Sequence, residues 1–461
     1  MMHSLHAADA LLPVGWVRDV RLDWDAAGRL TAVTPGAAAD ASIARAAGPV
    51  IPGMPNLHSH AFQRGIAGLT EYRGQAQDSF WSWRTLMYRF ALRLDPAQLE
   101  AIALWLYVEM LEAGYTSVCE FHYVHHDADG RPYADDATLA LVLLRAAEKA
   151  GIGLTLLPVL YQASGFGGLP PGEGQRRFIR STDSMLALLE RLKPLCDAQG
   201  ARLGLAPHSL RAVPPDSLRA ALAGLQALDA TAPVHIHIAE QTKEVDDCIA
   251  WSGQRPVAWL LDHAPVDARW CLVHATHMDA DEYRRAAASG AVAGLCPTTE
   301  ANLGDGIFDL PAWRSAGGAW GIGSDSHVCV NAAEELLMLE YSQRLARRER
   351  NVAADALQPQ VATSMTLAAV QGGAQAAGRP VAGLAVGQQA DFVVLDAAHV
   401  ALAGLPAPEM LASHVFASQR TSAIDAVWVG GRPRAQRGRH PLHDSAAAGF
   451  VAARRQLLNT P

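Results

Sequence analysis

Between residues 48 and 324 a short apolar run recurs eight times, each separated from the next by a longer amphipathic stretch. The runs are "GPVIPGM", "YTSVCEF", "IGLTLLPVL", "ARLGLAP", "PVHIHIA", "RWCLVHA", "AVAGLCP" and "AWGIGS". Most are continuously apolar or small, the pattern of parallel strands buried on both faces. The intervening segments 97–113, 137–150, 182–198, 215–228, 243–263, 279–289 and 332–349 carry helical spacing. "AQLEAIALWLYVEMLEAG", with a period near 3.6 and a closing glycine, is the clearest. Eight strands alternating with helices predict an α/β fold of the TIM-like (β/α)8 barrel type. A doubly wound open sheet is the structural alternative.

The two ends of the chain have a different texture. "GWVRDVRLDW" and "RLTAVTP" flank a turn-like "DAAG" in the first fifty residues. After a helical stretch near 353–377, "VGQQADFVVLD" and "SAIDAVWVGGRPRAQRG" read as hairpin pieces with glycine turns. The simplest arrangement is a small β-sandwich domain built from residues 1–50 and 378–461, with a barrel of residues 51–377 inserted between them.

Composition excludes several classes. A chain of 461 residues that is 50% hydrophobic and 18% charged can bury a large core. Its net charge of −8 and lack of a basic run argue against a nucleic-acid partner. The opening "MMHSLHAADALLPVGW" lacks the pattern of a signal peptide, and no uncharged apolar run approaches a membrane span. Six scattered cysteines without CxxC pairs read as reduced thiols of a cytoplasmic protein.

Barrel chemistry sits at the C-terminal ends of the strands. There the chain places His58 and His60 in "PNLHSHAFQRG", His208 in "APHSLRAV", and His235, His237 and Glu240 in "HIHIAE". His274 follows in "LVHATH" and Asp325 in "GSDSH". Singly, each has a bland reading: a hydrogen-bonded structural histidine, or an aspartate capping a helix. Together, His58, His60, His237 and Asp325 match an N/O ligand set for zinc or another divalent ion, with room left for water. His58 and His60, two apart on an extended segment, point the same way.

His235 lies deeper on its strand and reads as a satisfied interior histidine or a support for the ligands. His277 and His327 read likewise, and His125 and His126 in the polar "VHHDADG" as solvated loop residues. Glu240 is either a first-turn helix carboxylate or a proton shuttle. His274 is either a buried structural histidine or the group that orients water and steadies charge.

"HSH", "HIHIAE", "VHATH" and "GSDSH", with the flanking "GQQADFVVLD", resemble the amidohydrolase superfamily and its cytosine-deaminase-like subset over nearly the whole chain. No lysine stands at the end of strand three or four, so the resemblance implies a mononuclear site. The longer pieces "PNLHSHAFQRGIAGLTEYRG", "FWSWRTLMYRF", "EFHYVHH", "APHSLRAV", "HIHIAEQTKEV" and "CPTTEANLGDG" are similar to the N-formimidoyl-L-glutamate deiminase family of bacterial histidine breakdown.

That resemblance implies hydrolysis of a formimino group to N-formyl-L-glutamate and ammonia, with one divalent metal ion, zinc first, per chain. It implies that Asp325 accepts a proton, Glu240 carries one to the departing nitrogen, and His274 steadies the tetrahedral intermediate. Arg84 and Arg211 would clamp a substrate with two carboxylates, and Gln63, Tyr123 and His208 would add hydrogen bonds. A homodimer without nucleic-acid or membrane partners is implied as well.

The bland readings are an exposed helix arginine for Arg84 and a surface loop residue for Arg211. Arg176 and Arg177, after the glycine-rich "SGFGGLPPGEG", read as solvated, although that loop could cover the site. Trp81 and Trp83 leave room for a deaminase of a ring substrate: guanine, a pterin, a triazine or an adenosine derivative. A cytidine-deaminase type of zinc site is excluded, because its PCxxC motif is absent. A non-catalytic scaffold on the same barrel would be expected to have lost ligands.

Overall fold

The computed structural model describes residues 3–71, 80–418 and 422–459. Among these, eight parallel strands close into a barrel. Met54–Ser59, Tyr115–His122, Gly153–Leu160 and a divided strand, Arg202–Leu203 with Ala206–Pro207, form one half. Val234–Ile238, Trp270–His274, Val292–Leu295 and Ala319–Ile322 form the other. Single parallel bridges close the two seams, Leu205 with Val234 and Ser59 with Asp325. Nearly every residue of these strands is buried, which is why their sequences are apolar throughout rather than alternating.

The first barrel strand lies further along the chain than its apolar run predicts. Val50–Pro52 pairs with Phe392–Leu395 in the small sheet, and the barrel strand is Met54–Ser59. Gly53 between them passes so close to Thr116 that a Cβ would stand 2.3 Å from its Cγ2. The segment 243–263 is likewise two helices, Thr242–Ser252 and Pro256–His263. Gly253 ends the first in the left-handed region, and Pro256 opens the second.

Other helices match their spacing closely. Pro96–Glu112 starts from a reciprocal capping box between Asp95 and Gln98 and turns Leu99, Ile102, Ala103 and Leu106 inward. Against it packs a C-terminal helix, His443–Asn459, that the hairpin reading of that region did not anticipate. The Trp105 ring meets His443 and Phe450 at centroid distances of 5.2 and 6.3 Å.

The small domain is one mixed sheet from both chain ends. His3–Leu12 pairs antiparallel with Gly15–Trp24, and Ala10 is in parallel register with Val50. The sheet curls over its own core, bringing Trp24 within 6.0 Å of Phe392 and 5.8 Å of Trp428, ring to ring. All six cysteines are free, and no helix among the described residues is long and apolar enough to cross a membrane.

Candidate active site

The first and eighth barrel strands are stitched together beneath the rim. Asn56 donates to Ser324 Oγ at 2.7 Å and accepts from the Ser324 amide at 3.1 Å; the Asp325 amide donates to the His58 carbonyl at 3.0 Å. This approach needs Gly323, where a Cβ would stand 2.8 Å from His58 Cβ. At the rim, His274, Asp325 and His327 hold φ values of 66°, 45° and 61°. Such left-handed conformations cost roughly 1–3 kcal/mol each in non-glycine residues and cluster at functional sites.

His58, His60, His237 and Asp325 converge there, all buried. His58 Nε2 stands 3.1 Å from His60 Nε2 and 3.0 Å from His237 Nε2; Asp325 Oδ1 is 3.4 and 3.3 Å from His58 and His60 Nε2. The Nδ1–H of His60 donates to the Phe121 carbonyl at 2.9 Å, and that of His237 to the His208 carbonyl at 3.1 Å. Both rings are thereby held in the tautomer whose Nε2 lone pair faces inward. Burial opposes protonation of all three imidazoles and lowers the His58 pKa to about 3. Burial disfavours charge on Asp325 too, but a hydrogen bond with His58 and the charge on nearby His274 hold its carboxyl below the ordinary range.

Neutral lone pairs so close to one another and to a carboxylate repel unless a cation lies among them. The donor set therefore fits a divalent metal. A second grouping, His274 with Cys296, shares Asp325. Burial raises the Cys296 thiol pKa well above its ordinary value, and His274 Nδ1 is engaged by Glu300, so it offers a poorer ligand set.

His274 has a different electrostatic setting. Its Nδ1–H donates to Glu300 Oε1 at 3.3 Å, and its Nε2 is 3.8 Å from Glu240 Oε1 and 3.7 Å from Asp325 Oδ2. Burial opposes its charge, but these three carboxylates outweigh burial and push the imidazole pKa up to about 10. Burial in turn raises the Glu240 pKa above its ordinary value, despite the nearby His274 and Arg211.

Above the cluster opens a cleft with about 520 Å³ of empty space. His60, His237, Asp325, Glu240, His274, Gln63, Arg84, Tyr123, His208 and Arg211 all line it; His58 lies beneath its floor. Arg211 is buried, 4.0 Å from Glu240 and 3.9 Å from Glu244, which overturns its surface-loop reading. Arg84 stands with its guanidinium 5.5 Å from the Tyr88 ring centroid. Gln63 donates to the Tyr123 hydroxyl at 2.8 Å while its own Oε1, also buried, has no partner among the described residues. The His208 ring meets Tyr161 at 4.5 Å.

Other histidines divide as their positions dictate. His235 Nε2–H donates to the Ala376 carbonyl at 2.8 Å inside the barrel wall, and His277 to the Asp305 carbonyl at 2.8 Å. His327 accepts from the His60 amide at 3.2 Å and so supports His60 from behind. His125 and His126 are not solvated. Both are buried and donate to the Val159 and Ile179 carbonyls at 2.9 Å, because the loop after the second strand folds inward. Arg177 is fully buried as well, while Arg176 is half-buried and donates to the Ala128 carbonyl.

Sequence reasoning missed Glu300, Tyr161 and Glu120. Glu120, a lone carboxylate in the apolar run "YTSVCEF", was the most readable of these. It accepts from Ser59 Oγ and the Ala61 amide at 2.7 Å each, bracing the turn that carries His60. Trp83 lines the cleft; the side chain of Trp81 lies outside the described residues.

A model of the amidohydrolase family matches residues 50–434, and one of formimidoylglutamate deiminase HutF, N-terminal domain, matches residues 2–45. The chain is 54% identical over 458 residues to a formimidoylglutamate deiminase of Pseudomonas aeruginosa, covering 99% of this chain and 100% of that one. An 8-oxoguanine deaminase of the same species is 28% identical, over 83% of this chain and 81% of its own. Among solved structures, an amidohydrolase from Brucella melitensis superposes with a TM-score of 0.94 at 51% identity, covering 99% of this chain and 100% of that one. An adenosine deaminase from Xanthomonas campestris with bound zinc shares the fold, with a TM-score of 0.78 at 22% identity and coverage of 99% and 97%. A family model over most of the chain, and a relative more than half identical from end to end, show that the chain belongs to the amidohydrolase family.

Proposed function

We propose that this protein hydrolyses N-formimidoyl-L-glutamate to N-formyl-L-glutamate and ammonia, a step of histidine breakdown. One observation carries the reading: a single cleft joins a buried His/Asp cluster and proton-transfer groups to two arginines, Arg84 and Arg211. A ring substrate would call for stacking faces and edge hydrogen bonds, whereas two desolvated carboxylates call for cations. The 54% identical relative carries the same activity in its name.

His58, His60, His237 and Asp325 would hold one divalent ion per chain, zinc in this proposal. Bound there, the ion supplies a Lewis acid that makes water nucleophilic near neutral pH. Asp325 accepts a proton from the attacking water as its oxygen adds to the formimino carbon. The C=N bond becomes a single bond, leaving a tetrahedral carbon. Protonated His274, held by Glu300, faces the charge that develops beside it. Glu240, whose burial favours its protonated form, delivers a proton to the terminal nitrogen. The proton held by Asp325 passes to the same nitrogen, which then carries three hydrogens and departs as ammonia. As the C–N bond breaks, the formyl C=O forms and the hydroxyl gives its remaining proton to Glu240, restoring both carboxyl groups. Arg84 and Arg211 grip the two carboxylates, while Gln63, Tyr123 and His208 complete the polar wall.

The reading includes a cytoplasmic homodimer; six free thiols, five of them buried, suit a reducing compartment. Ammonia release tests the assignment when N-formimidoyl-L-glutamate is compared with guanine and adenosine. Turnover of the formimino compound alone is expected. Turnover of a ring compound in its place would overturn the reading.

A further inference from the structure

Helix Phe80–Ala91 brings Trp83, Arg84, Met87 and Tyr88 to the cleft, at the three- and four-residue spacings that share one helix face. It belongs to no layer of the barrel, so what sets its position also sets where Arg84 stands. One apolar contact is clear: Phe90 fills the space beside Gly65, where a Cβ would stand 2.5 Å from its ring. The polar anchor comes from residues 172–180, in the loop after the third barrel strand.

Arg177 is 0% exposed, and among the described residues its guanidinium meets no carboxylate, its one side-chain partner being the Tyr133 hydroxyl at 3.4 Å. Its guanidinium instead donates to three backbone carbonyls: Ala91 at 2.5 Å, Leu94 at 2.7 Å and His126 at 2.7 Å. Ala91 is the last residue of the helix, so its carbonyl has no partner within the helix. A cation at this end also favours the helix dipole.

Three neighbours extend the anchor. Gln175 donates to the Tyr161 hydroxyl at 2.6 Å and stands 3.4 Å from that of Tyr88. Gly174 lies so close to Tyr88 that a Cβ would be 2.9 Å from its Cδ2. The Phe178 ring is fully buried among Tyr88, Tyr123 and Tyr161, at 5.6, 5.0 and 5.9 Å.

We propose that Arg177 is a positioning residue for substrate binding: by capping the Phe80–Ala91 helix and tying it to the loops after the second and third strands, it sets the reach of Arg84. The inference rests on the reading in which Arg84 grips a substrate carboxylate. Lysine cannot replace Arg177, because a single ammonium lacks the planar fork that spans three carbonyls.

The test is a double-mutant cycle of Arg177→Lys and Arg84→Met on the metal-loaded enzyme, reading KM and kcat separately, with metal content and far-UV circular dichroism alongside. Arg177→Lys is expected to raise KM for N-formimidoyl-L-glutamate by roughly tenfold in the wild-type background and by less than about twofold when Arg84 is already methionine. KM unchanged by Arg177→Lys, or raised equally in both backgrounds, overturns the proposal. If Arg84→Met itself leaves KM unchanged, the clamp reading fails first and the inference falls with it. Should Arg177→Lys not fold, Gln175→Leu enters the same cycle with the same expected non-additivity.

Discussion

At the scale of single residues, the site separates two kinds of buried histidine by their partners alone. His60 and His237 donate Nδ1–H to backbone carbonyls and stay neutral, leaving Nε2 free for a cation. His274 donates Nδ1–H to a carboxylate and faces two more, so burial yields a charged ring instead of a neutral one. Glu240 contributes most to this difference and Glu300, which holds Nδ1–H, comes next; Glu300 Oε1 also accepts from the Cys296 amide at 2.8 Å. Glu300→Gln keeps an acceptor for Nδ1–H but removes the negative charge. We expect kcat to fall by about tenfold, less than the ~10²–10³ lost on deleting a charge-stabilising donor outright. Metal content and KM should hold. Wild-type kcat in this variant would show that the charge on His274 is not used.

At the scale of elements, legibility followed the physics of each signal. The barrel was readable because strands buried on both faces leave continuous apolar runs, and the helices between them repeat near 3.6. Cleft residues at strand ends were readable for the same reason: once a strand is recognised, its C-terminal end is located. Positions set by close backbone approach left fainter marks. Gly53 shifts the first strand toward His58, and the break at Gly253 and Pro256 divides a helix whose apolar period runs straight through it. Loops were least readable. "VHHDADG" and "GQRRF" have the composition of solvated turns, yet His125, His126 and Arg177 are buried because backbone carbonyls satisfy them. A partner of that kind has no sequence signature.

At the scale of the whole molecule, neutral histidines locked in the interior make the fold acid-sensitive. Burial lowers the His122 pKa from 6.5 to about 3, with Arg180 and Arg177 adding to the effect, and burial lowers that of His235 to about 4. On unfolding, each would take up a proton below about pH 6.5, so the unfolded chain binds more protons than the native one between there and the folded pKa. Stability is full above pH 6.5 and is lost as pH falls, at about 1.4 kcal/mol per pH unit for each such group. His122→Leu removes one of these sites. Its urea midpoint should decline less steeply than the wild type's between pH 6.5 and 4.5, even if the variant is less stable at pH 7. Parallel declines would show that His122 does not contribute.

These scales meet in one claim, that the cluster of His58, His60, His237 and Asp325 is a single-metal centre driving hydrolysis of a linear amidine. The measurement that bears on it most directly is a zinc titration into metal-free protein, following ammonia release from N-formimidoyl-L-glutamate. Turnover should rise linearly with added zinc and saturate at about one equivalent per chain, the count set by one cluster of His58, His60, His237 and Asp325. Full turnover in the metal-free folded protein, or none at any loading of zinc, iron or manganese, would contradict the account.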